Sequence, residues 1–596
     1  MIINSVYHIK DLLNACCFAF VVCVKYNHYA PNLLLLYYYP LKPSSLLLLL
    51  SFSFLFTYPF TCRGRRRTLL LGERISGPHF VGQMEKGASS YASVQDALND
   101  GKSHEEVDAY LCAATNVIAK VQREQNLTLS AVDLSPFDIS NRGRTMPMFY
   151  YYADTLSASL LLLSLQDTLK DYPVYCGRYD AAKLKVNLNN EGVPFMVSKS
   201  TSTVHEAINH LLPSLGESPE FTETCFFTSD LTDKLLHPVH KDQMDPDLAD
   251  PGAPVLAIRC TLFEGDGTAI AISLQHGVGD ADSQMSFMVN WSRRFRNLPM
   301  DDLAPYHDRN CYIGKKAKEI SGEALEDQTK NPYEGLCVHR IKTIQPGDKA
   351  VPEFAPVMKN IMGHNVCVIP FHKQDLDHMK AVASEGLEDK DKYVSTDDIL
   401  TAKIWQSLCK VRCKQVNVSV NDANQPTTLN RAFNIRNRVE PQLPAGYVGN
   451  AVTNILTTMT VKELCCDLSI QQIALRLRET VLMHTPENVV LLAKYHMKEQ
   501  AGGAKTSITF DSKAMTFIVS SWVFPHSSWD LANFDSKPLC FGHACLVPVV
   551  ASITSRANGS GRNVWHSGTE NAVSEFVALM GQTLAPNKSS DQATIV

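Results

Sequence analysis

None of the 17 cysteines falls in the paired C-x-x-C spacing of a structural zinc site, and the close pairs Cys16/Cys17, Cys409/Cys413, Cys465/Cys466 and Cys540/Cys545 do not supply it. No metal site is therefore expected, and reduced thiols in a cytosolic protein are the natural state. There is no glycine-rich phosphate loop of the P-loop or Rossmann form and no internal repeat. A basic stripe interleaved with aromatics is also missing, and the net charge is -5, so nucleic acid is excluded as an expected partner. Charged residues make up only 20% against 45% hydrophobic, which excludes wholesale disorder. At 596 residues the chain is too long for one core, and two lobes with a buried site between them are expected.

Charge is scarcest near the start. None occurs between Lys42 and Arg63, a gap the length of a membrane helix of about 20 residues, and Arg63, Arg65, Arg66 and Arg67 follow at once. By the positive-inside rule that cluster would face the cytosol, together with everything after it. Two readings of residues 1–83 stand: an anchor or targeting segment, with membrane contact confined to residues 43–62, or upstream sequence ahead of a true start at Met84. Neither places chemistry before Met84. Sequons occur at Asn126, Asn290, Asn417, Asn558 and Asn587; Asn290 falls in a helical pattern, and they are read as chance matches.

From Ser90 to about Glu124 the chain is polar and helix-like. Ala158 to Leu169 reads as a helix ended by Asp171-Tyr172-Pro173. Lys183 to Leu188 and Val193 to Val197 read as strands, and Val255 to Phe263 and Thr268 to Gln275 as a hairpin turned by Glu264-Gly265-Asp266-Gly267. A helix follows, with Met285, Met288, Val289 and Phe295 on one face. Residues 301–356 are polar and broken by Asn331-Pro332 and Gln345-Pro346-Gly347-Asp348, which suits an interlobe crossover. Ser395-Thr396-Asp397-Asp398 then caps a helix carrying Leu400, Ile404 and Leu408. The expected architecture is α/β, in two lobes with mixed sheets: an apolar segment 1–83, a helical lead-in 84–126, an N-terminal lobe 127–320, a crossover 321–355 and a C-terminal lobe 356–590.

His276 sits where the second hairpin strand becomes a helix, in Gln275-His276-Gly277-Val278-Gly279-Asp280. An imidazole with an ordinary pKa of about 6.5 is neutral enough at cytosolic pH to take a proton from an attacking hydroxyl. Gly277 and Gly279 would let a substrate approach closely, and Asp280 could orient the ring or brace the loop. H-x-x-x-D alone is a weak signal. His104 and Asp108 also satisfy it, in a charged stretch that reads as a solvated helix face.

Five segments in order decide the matter. They are Tyr172-Pro173-Val174-Tyr175-Cys176-Gly177-Arg178; Asn189-Asn190-Glu191-Gly192-Val193-Pro194-Phe195; His276 to Asp280; Ser395 to Trp405; and the run Asn434-Ile435-Arg436-Asn437-Arg438-Val439-Glu440-Pro441-Gln442-Leu443-Pro444-Ala445-Gly446-Tyr447-Val448-Gly449-Asn450. Together they resemble the BAHD family of acyl-CoA-dependent acyltransferases across roughly residues 127–586. The resemblance implies a chloramphenicol acetyltransferase-like fold with a channel between the lobes and no permanently bound cofactor. Acyl-CoA would be the co-substrate and a small alcohol or amine the acceptor, handled by a monomer.

By the same resemblance His276 is the base, and no acyl-enzyme forms. Asp280 turns away from the substrate to pair with Arg436 or Arg438, and Ser520 and Trp522 hold the thioester oxygen. Ala532-Asn533-Phe534-Asp535-Ser536 departs from the family's D-F-G-W-G, which puts the lobe interface and coenzyme channel in question. Gln500 to Ser507 offers only Lys505 where relatives using shikimate carry an arginine, so a shikimate-like acceptor gains no support. Two other readings remain: a non-catalytic acyl-CoA binder or scaffold, and a condensation or carnitine-type acyltransferase. The second fits less well because Gln275 replaces the first histidine of H-H-x-x-x-D-G.

Overall fold

In the computed structural model, side chains are described for residues 97–112, 130–141, 145–180, 183–208, 253–300, 304–310, 312–320, 365–385, 393–498, 515–523, 532–543, 550–556 and 559–581, and for a few further strands and helix ends only the backbone course. The chain divides into two units, Met1–His79 and Phe80–Val596. In the first, strand Phe20–Val24 pairs antiparallel with Leu33–Tyr37. The segment 43–62 expected to meet a membrane lies outside the residues whose side chains are described. Among the described residues no helix is long and apolar enough to cross a membrane.

The second unit is built on two seven-stranded mixed sheets. The first runs, neighbour to neighbour, Glu223–Phe227, Pro538–Ala544, Thr145–Tyr152, Thr268–Gln275, Leu256–Leu262, Val193–Lys199 and Val117–Ala119. The second runs Val452–Thr460, Pro426–Asn434, Thr516–Trp522, Val550–Ser555, Gly561–Gly568, Asn365–His372 and Thr594–Ile595. The predicted hairpin is present, Leu256–Leu262 against Thr268–Gln275.

Two boundaries differ from expectation. Val117–Ala119, inside the helical lead-in, is a strand against Val193–Phe195, because three successive apolar residues at a sheet edge gain more from the ladder than from a short helix. Pro538–Ala544, from the second half of the chain, inserts into the first sheet between Glu223–Phe227 and Thr145–Tyr152. The block 356–590 is therefore not one closed lobe; such a swap cannot be read from local pattern because it depends on which sheet has an edge within reach.

Both faces of the central strands are buried, as their near-continuous apolar runs require. In the first sheet Met146, Met148, Tyr150, Ile270, Ile272 and Leu274 face one core, shared with Leu161 and Leu165 of helix Ala158–Leu169 and Phe287 and Trp291 of helix Ala281–Phe295. The alternate residues Phe149, Tyr151, Ala269 and Ala271 pack instead with Val366 and Trp565 of the second sheet. The second sheet turns Leu429, Phe517, Val519, Ile553 and Val564 to its own core, under Ile404, Trp405 and Leu408 of helix Thr396–Val416. That helix starts at a capping box, Ser395 with Asp398, as its sequence predicted.

The segment that departs from D-F-G-W-G still does packing. Phe534 is fully buried and meets Tyr152, Trp291 and Phe295 edge-on, with centroids 6.0, 5.0 and 5.3 Å away. Tyr152 Oη donates to the Ala532 carbonyl at 2.9 Å, and Asp535 takes a left-handed φ of 62° at the turn into the swapped strand. The aromatic anchor is thus retained one position late.

His104 and Asp108 do not form a solvated face. His104 Nδ1 lies 2.8 Å from Ser159 Oγ, and Asp108 accepts the Ser159 backbone N–H at 2.7 Å, so the pair ties one helix to the first turn of Ala158–Leu169. Burial in that contact pushes the Asp108 carboxyl up. Asn290 is buried in its helix and donates to Tyr172 Oη at 2.7 Å, which suits a packed residue and not a glycan acceptor.

Candidate active site

Strand Thr268–Gln275 ends at Gln275, and a turn closed by Val278 N–H donating to the Gln275 carbonyl at 2.8 Å carries His276. The imidazole is half-buried. Its Nδ1 lies 3.1 Å from Asn450 Oδ1. Both protons of the Asn450 amide are already committed: Nδ2 donates to the His276 carbonyl at 2.6 Å and to Asp138 Oδ1 at 2.9 Å. The Asn450 oxygen can therefore only accept, so Nδ1 carries the ring proton and Nε2 the lone pair.

Asp138 anchors this arrangement from beneath. Its Oδ1 also accepts the Asn450 backbone N–H at 2.8 Å, and its Oδ2 accepts Ser135 N–H at 2.8 Å and pairs with Arg309 Nη1 at 3.1 Å. Both members of that ion pair are buried. Arg309 Nη1 also donates to the Val278 carbonyl at 2.5 Å, so the turn holding His276 is braced from both sides.

Asp280 faces the other way. It caps helix Ala281–Phe295, accepting Ser283 N–H at 3.0 Å, a favourable place for a carboxylate beside the helix's positive end. Arg436 grips it bidentately, Nη1 to Oδ2 at 2.7 Å and Nη2 to Oδ1 at 2.8 Å, and Ala451 N–H donates to Oδ2 at 2.8 Å. Burial would raise the Asp280 carboxyl, but the Arg436 charge and these hydrogen bonds outweigh it and hold the group below the usual carboxylate range. Arg436 also reaches Asp282 at 3.1 Å. Of the two arginines expected to share this role, Arg436 fills it alone: Arg438 stacks over the Phe433 ring, 5.5 Å from its centroid.

Gly279 also differs from expectation. A Cβ on Gly279 would come within 2.9 Å of Leu274 Cδ2 and 3.2 Å of Ser283 Cβ, so its smallness serves helix-to-strand packing and not substrate approach. Gly277 is buried.

Ser520 and Trp522 lie on strand Thr516–Trp522, whose alternate residues Phe517 and Val519 enter the second lobe's core. Period two puts Ser520 and Trp522 on the opposite face, where Trp522 packs against first-lobe residues. Trp522 Nε1–H donates to Ser520 Oγ at 3.0 Å. The two expected donors therefore stand in series, the indole behind the hydroxyl. Lys505 lies on a strand whose side chains are outside the described residues.

Asp138, Ser283 and Arg309 escaped the sequence reading, and Asn450 was quoted there without a role. For Asp138 the one available signal was Ser135-x-x-Asp138, a capping-box spacing that points to a helix start and not to a site. Ser283 Oγ donates to the Gly449 carbonyl at 2.7 Å and so fastens the loop 434–450 to the Asp280 helix. Nothing in one sequence announces such a tertiary contact.

Residues 115–530 match the transferase family. The chain belongs to this family, the BAHD acyltransferases. Among BAHD relatives it is 25% identical over 315 residues to a hydroxycinnamoyltransferase of Narcissus pseudonarcissus, covering 51% of this chain and 61% of that one. It is 22% identical over 472 residues to putrescine hydroxycinnamoyltransferase 1 of Oryza sativa subsp. japonica, covering 74% and 90%. The first three curated relatives are matched over 61%, 66% and 51% of their own length. The fold is that of vinorine synthase, TM-score 0.51 at 18% identity over 78% of this chain and 95% of that one. It is also that of F. graminearum TRI101 complexed with coenzyme A and T-2 mycotoxin, TM-score 0.56 at 17% identity over 78% and 99%.

Proposed function

We propose that this BAHD chain transfers an acyl group from a coenzyme A thioester to a hydroxyl or amine acceptor, with His276 as general base. One observation carries the reading: Asn450, fixed by Asp138, holds the His276 ring by Nδ1 and so leaves the basic lone pair on Nε2. The acceptor gives its O–H or N–H proton to Nε2 while its oxygen or nitrogen bonds to the thioester carbonyl carbon. The C–S bond then breaks, and the thiolate takes the proton back from Nε2. An ester or amide and free coenzyme A thiol result, with no acyl-enzyme.

Negative charge gathers on the carbonyl oxygen in between. Ser520, whose Oγ receives the Trp522 N–H, is suited to turn its own proton toward that oxygen; one preplaced donor is typically worth about 10² to 10³ in rate. Asp280 and Arg436 hold the helix and the loop 434–450 in register and touch no reacting atom in this scheme. The chain divides into the five parts expected from its sequence, except that Pro538–Ala544 crosses into the first sheet. A cytosolic site of action is supported by the nine described cysteines, all free thiols.

The test is thiol release by the purified full chain with a panel of acyl-CoAs and paired alcohol and amine acceptors. Wild type should turn over, and His276→Ala should be slower by at least about 10²-fold with an unchanged melting temperature. Tight coenzyme A binding with no thiol release from any donor would instead identify a scaffold that has kept the fold.

A further inference from the structure

Helix Thr396–Val416 carries Cys409 and Cys413 one turn apart on the same face. A short π-helix, Glu463–Asp467, lies beside it and is fastened at two points. Gln406 Nε2 donates to the Leu464 carbonyl at 2.9 Å, and Cys466 Sγ donates to the Val420 carbonyl at 3.4 Å. Cys465, between the two fastened residues, is thereby set against the last turns of the helix, where Val418 N–H donates to the Cys413 carbonyl at 2.9 Å. Cys409, Cys413 and Cys465 all enter the core of the second lobe.

Each of these three thiols hydrogen-bonds the other two. One thiolate accepts from two S–H groups at once, so the cluster releases its first proton more readily than a lone thiol and the rest less readily. Hydrogen bonds from Cys409 and Cys465 accordingly draw Cys413 below the usual thiol range, and contact with Cys413 and Cys465 raises Cys409. Among the described residues no three ligands are arranged to hold a metal ion, which leaves the sulfurs to one another.

The sulfurs are not equivalent as partners. Cys409 and Cys413 share one helix, with Cβ atoms about 5–6 Å apart, wider than the roughly 3.5–4.5 Å that a disulfide spans. A bond must therefore join the helix to the π-helix. Cys409 is fully sealed, whereas Cys413 lies a turn nearer the corner that Cys466 touches. Cys465 keeps 7% exposure beside the exposed Cys466, so a small oxidant arrives from that side.

We propose that Cys413 and Cys465 are an oxidative modification site, joined as a reversible disulfide when a hydroperoxide reaches them. The Cys413 thiolate attacks one peroxide oxygen, breaking the O–O bond and releasing hydroxide, and becomes a sulfenic acid. The Cys465 sulfur then displaces the hydroxyl group from it and gives up its own proton. In sum, two thiols and one hydrogen peroxide become one disulfide and two waters, with sulfur oxidised and the peroxide reduced. The chain between the two cysteines carries Arg436, which holds Asp280, and Asn450, which holds His276. Closing that loop removes freedom from the unfolded chain and leaves the native contacts as they are, so the bond staples the part of the second lobe that supplies the partners of His276.

Brief exposure of the purified full chain to hydrogen peroxide, followed by blocking of the remaining thiols and tryptic mapping, tests this. Cleavage after Lys410 and Arg412 puts Cys409 and Cys413 on separate peptides. The peptides of Cys413 and Cys465 should appear joined, lighter by two hydrogens than their sum, and should separate again in dithiothreitol. Cys409→Ser and Cys466→Ser should still form the bond, and Cys413→Ser should not. The oxidised wild type should melt at least about 2 °C above the reduced protein, a shift reversed by dithiothreitol and missing in Cys413→Ser. No joined peptide, a bond made through Cys409 or Cys466 instead, or a bond that leaves the melting temperature unmoved overturns the proposal. None of these readouts needs an acyl donor, so they stand or fall apart from the acyl-transfer reading.

Discussion

Asn450 holds His276 at two points, donating to its backbone carbonyl at 2.6 Å while its side-chain oxygen faces the ring nitrogen Nδ1 at 3.1 Å. The histidine comes from the first half of the chain and the asparagine from the second, 174 positions later. The base is therefore set only when both halves are folded together.

This contact predicts that Asn450→Leu lowers kcat by about 10²-fold, the range of a misplaced general base, with KM within about threefold. Asn450→Asp should fare no better, because the oxygen replacing Nδ2 would face two acceptors, the His276 carbonyl and Asp138 Oδ1. Steady-state thiol release measures both, and a kcat within about threefold of wild type in Asn450→Leu would show that ring orientation is not the issue.

Arg436 and Arg438 should separate sharply. Removing Arg436 leaves Asp280 buried and uncompensated, so Arg436→Ala should cost about 3–5 kcal/mol. Arg438→Ala gives up a stacking contact on Phe433 and should cost no more than about 1 kcal/mol. Urea denaturation of the three proteins measures both. The Asp280 carboxyl is held below its ordinary value of 3.8, so its contribution is present above that pH and lost as the pH falls through the lower folded value.

Ser520 and Trp522 should behave as one unit. Ser520→Ala removes the donor that meets the thioester oxygen and should lower kcat by about 10²-fold. Trp522→Phe removes only the group behind it, and about tenfold is expected. Because the indole acts through the hydroxyl, the double variant should be no slower than Ser520→Ala alone; multiplicative losses would mean that each touches the substrate separately.

Two buried histidines predict the acid limb of stability. His496 and His566 are pushed down to about 4 by burial, while the unfolded value is near 6.5. Between those values the unfolded chain binds protons that the folded chain refuses. Their stabilisation is thus complete above about pH 6.5 and is lost as the pH falls toward 4, at most roughly 3 kcal/mol for each. His496→Phe, packed against the same Phe137 ring, should flatten this slope in pH-dependent unfolding. An unchanged slope would contradict the assignment.

Much of the fold was legible locally. The helix at Ala158 to Leu169 starts and ends where its cap and following proline require, and the hairpin around Gly265 and Gly267 forms where the alternating runs predicted. His276 and Asp280 were recognisable because a short motif keeps both within one strand-to-helix turn. The reading erred where a residue's surroundings come from elsewhere. Gly279 is small for the sake of Leu274 and Ser283, His104 bonds to Ser159 of a neighbouring helix, and Pro538–Ala544 joins the far sheet.

The sequence by itself determined which residue types stand at the turn after Gln275 and that an amphipathic helix follows it, since periodicity acts over a few residues. Which arginine meets the Asp280 carboxylate and which nitrogen of His276 keeps its lone pair were decided only by tertiary structure. Those choices depend on side chains from distant parts of the chain arriving within hydrogen-bond reach, and a hydrogen bond's strength falls away within an ångström.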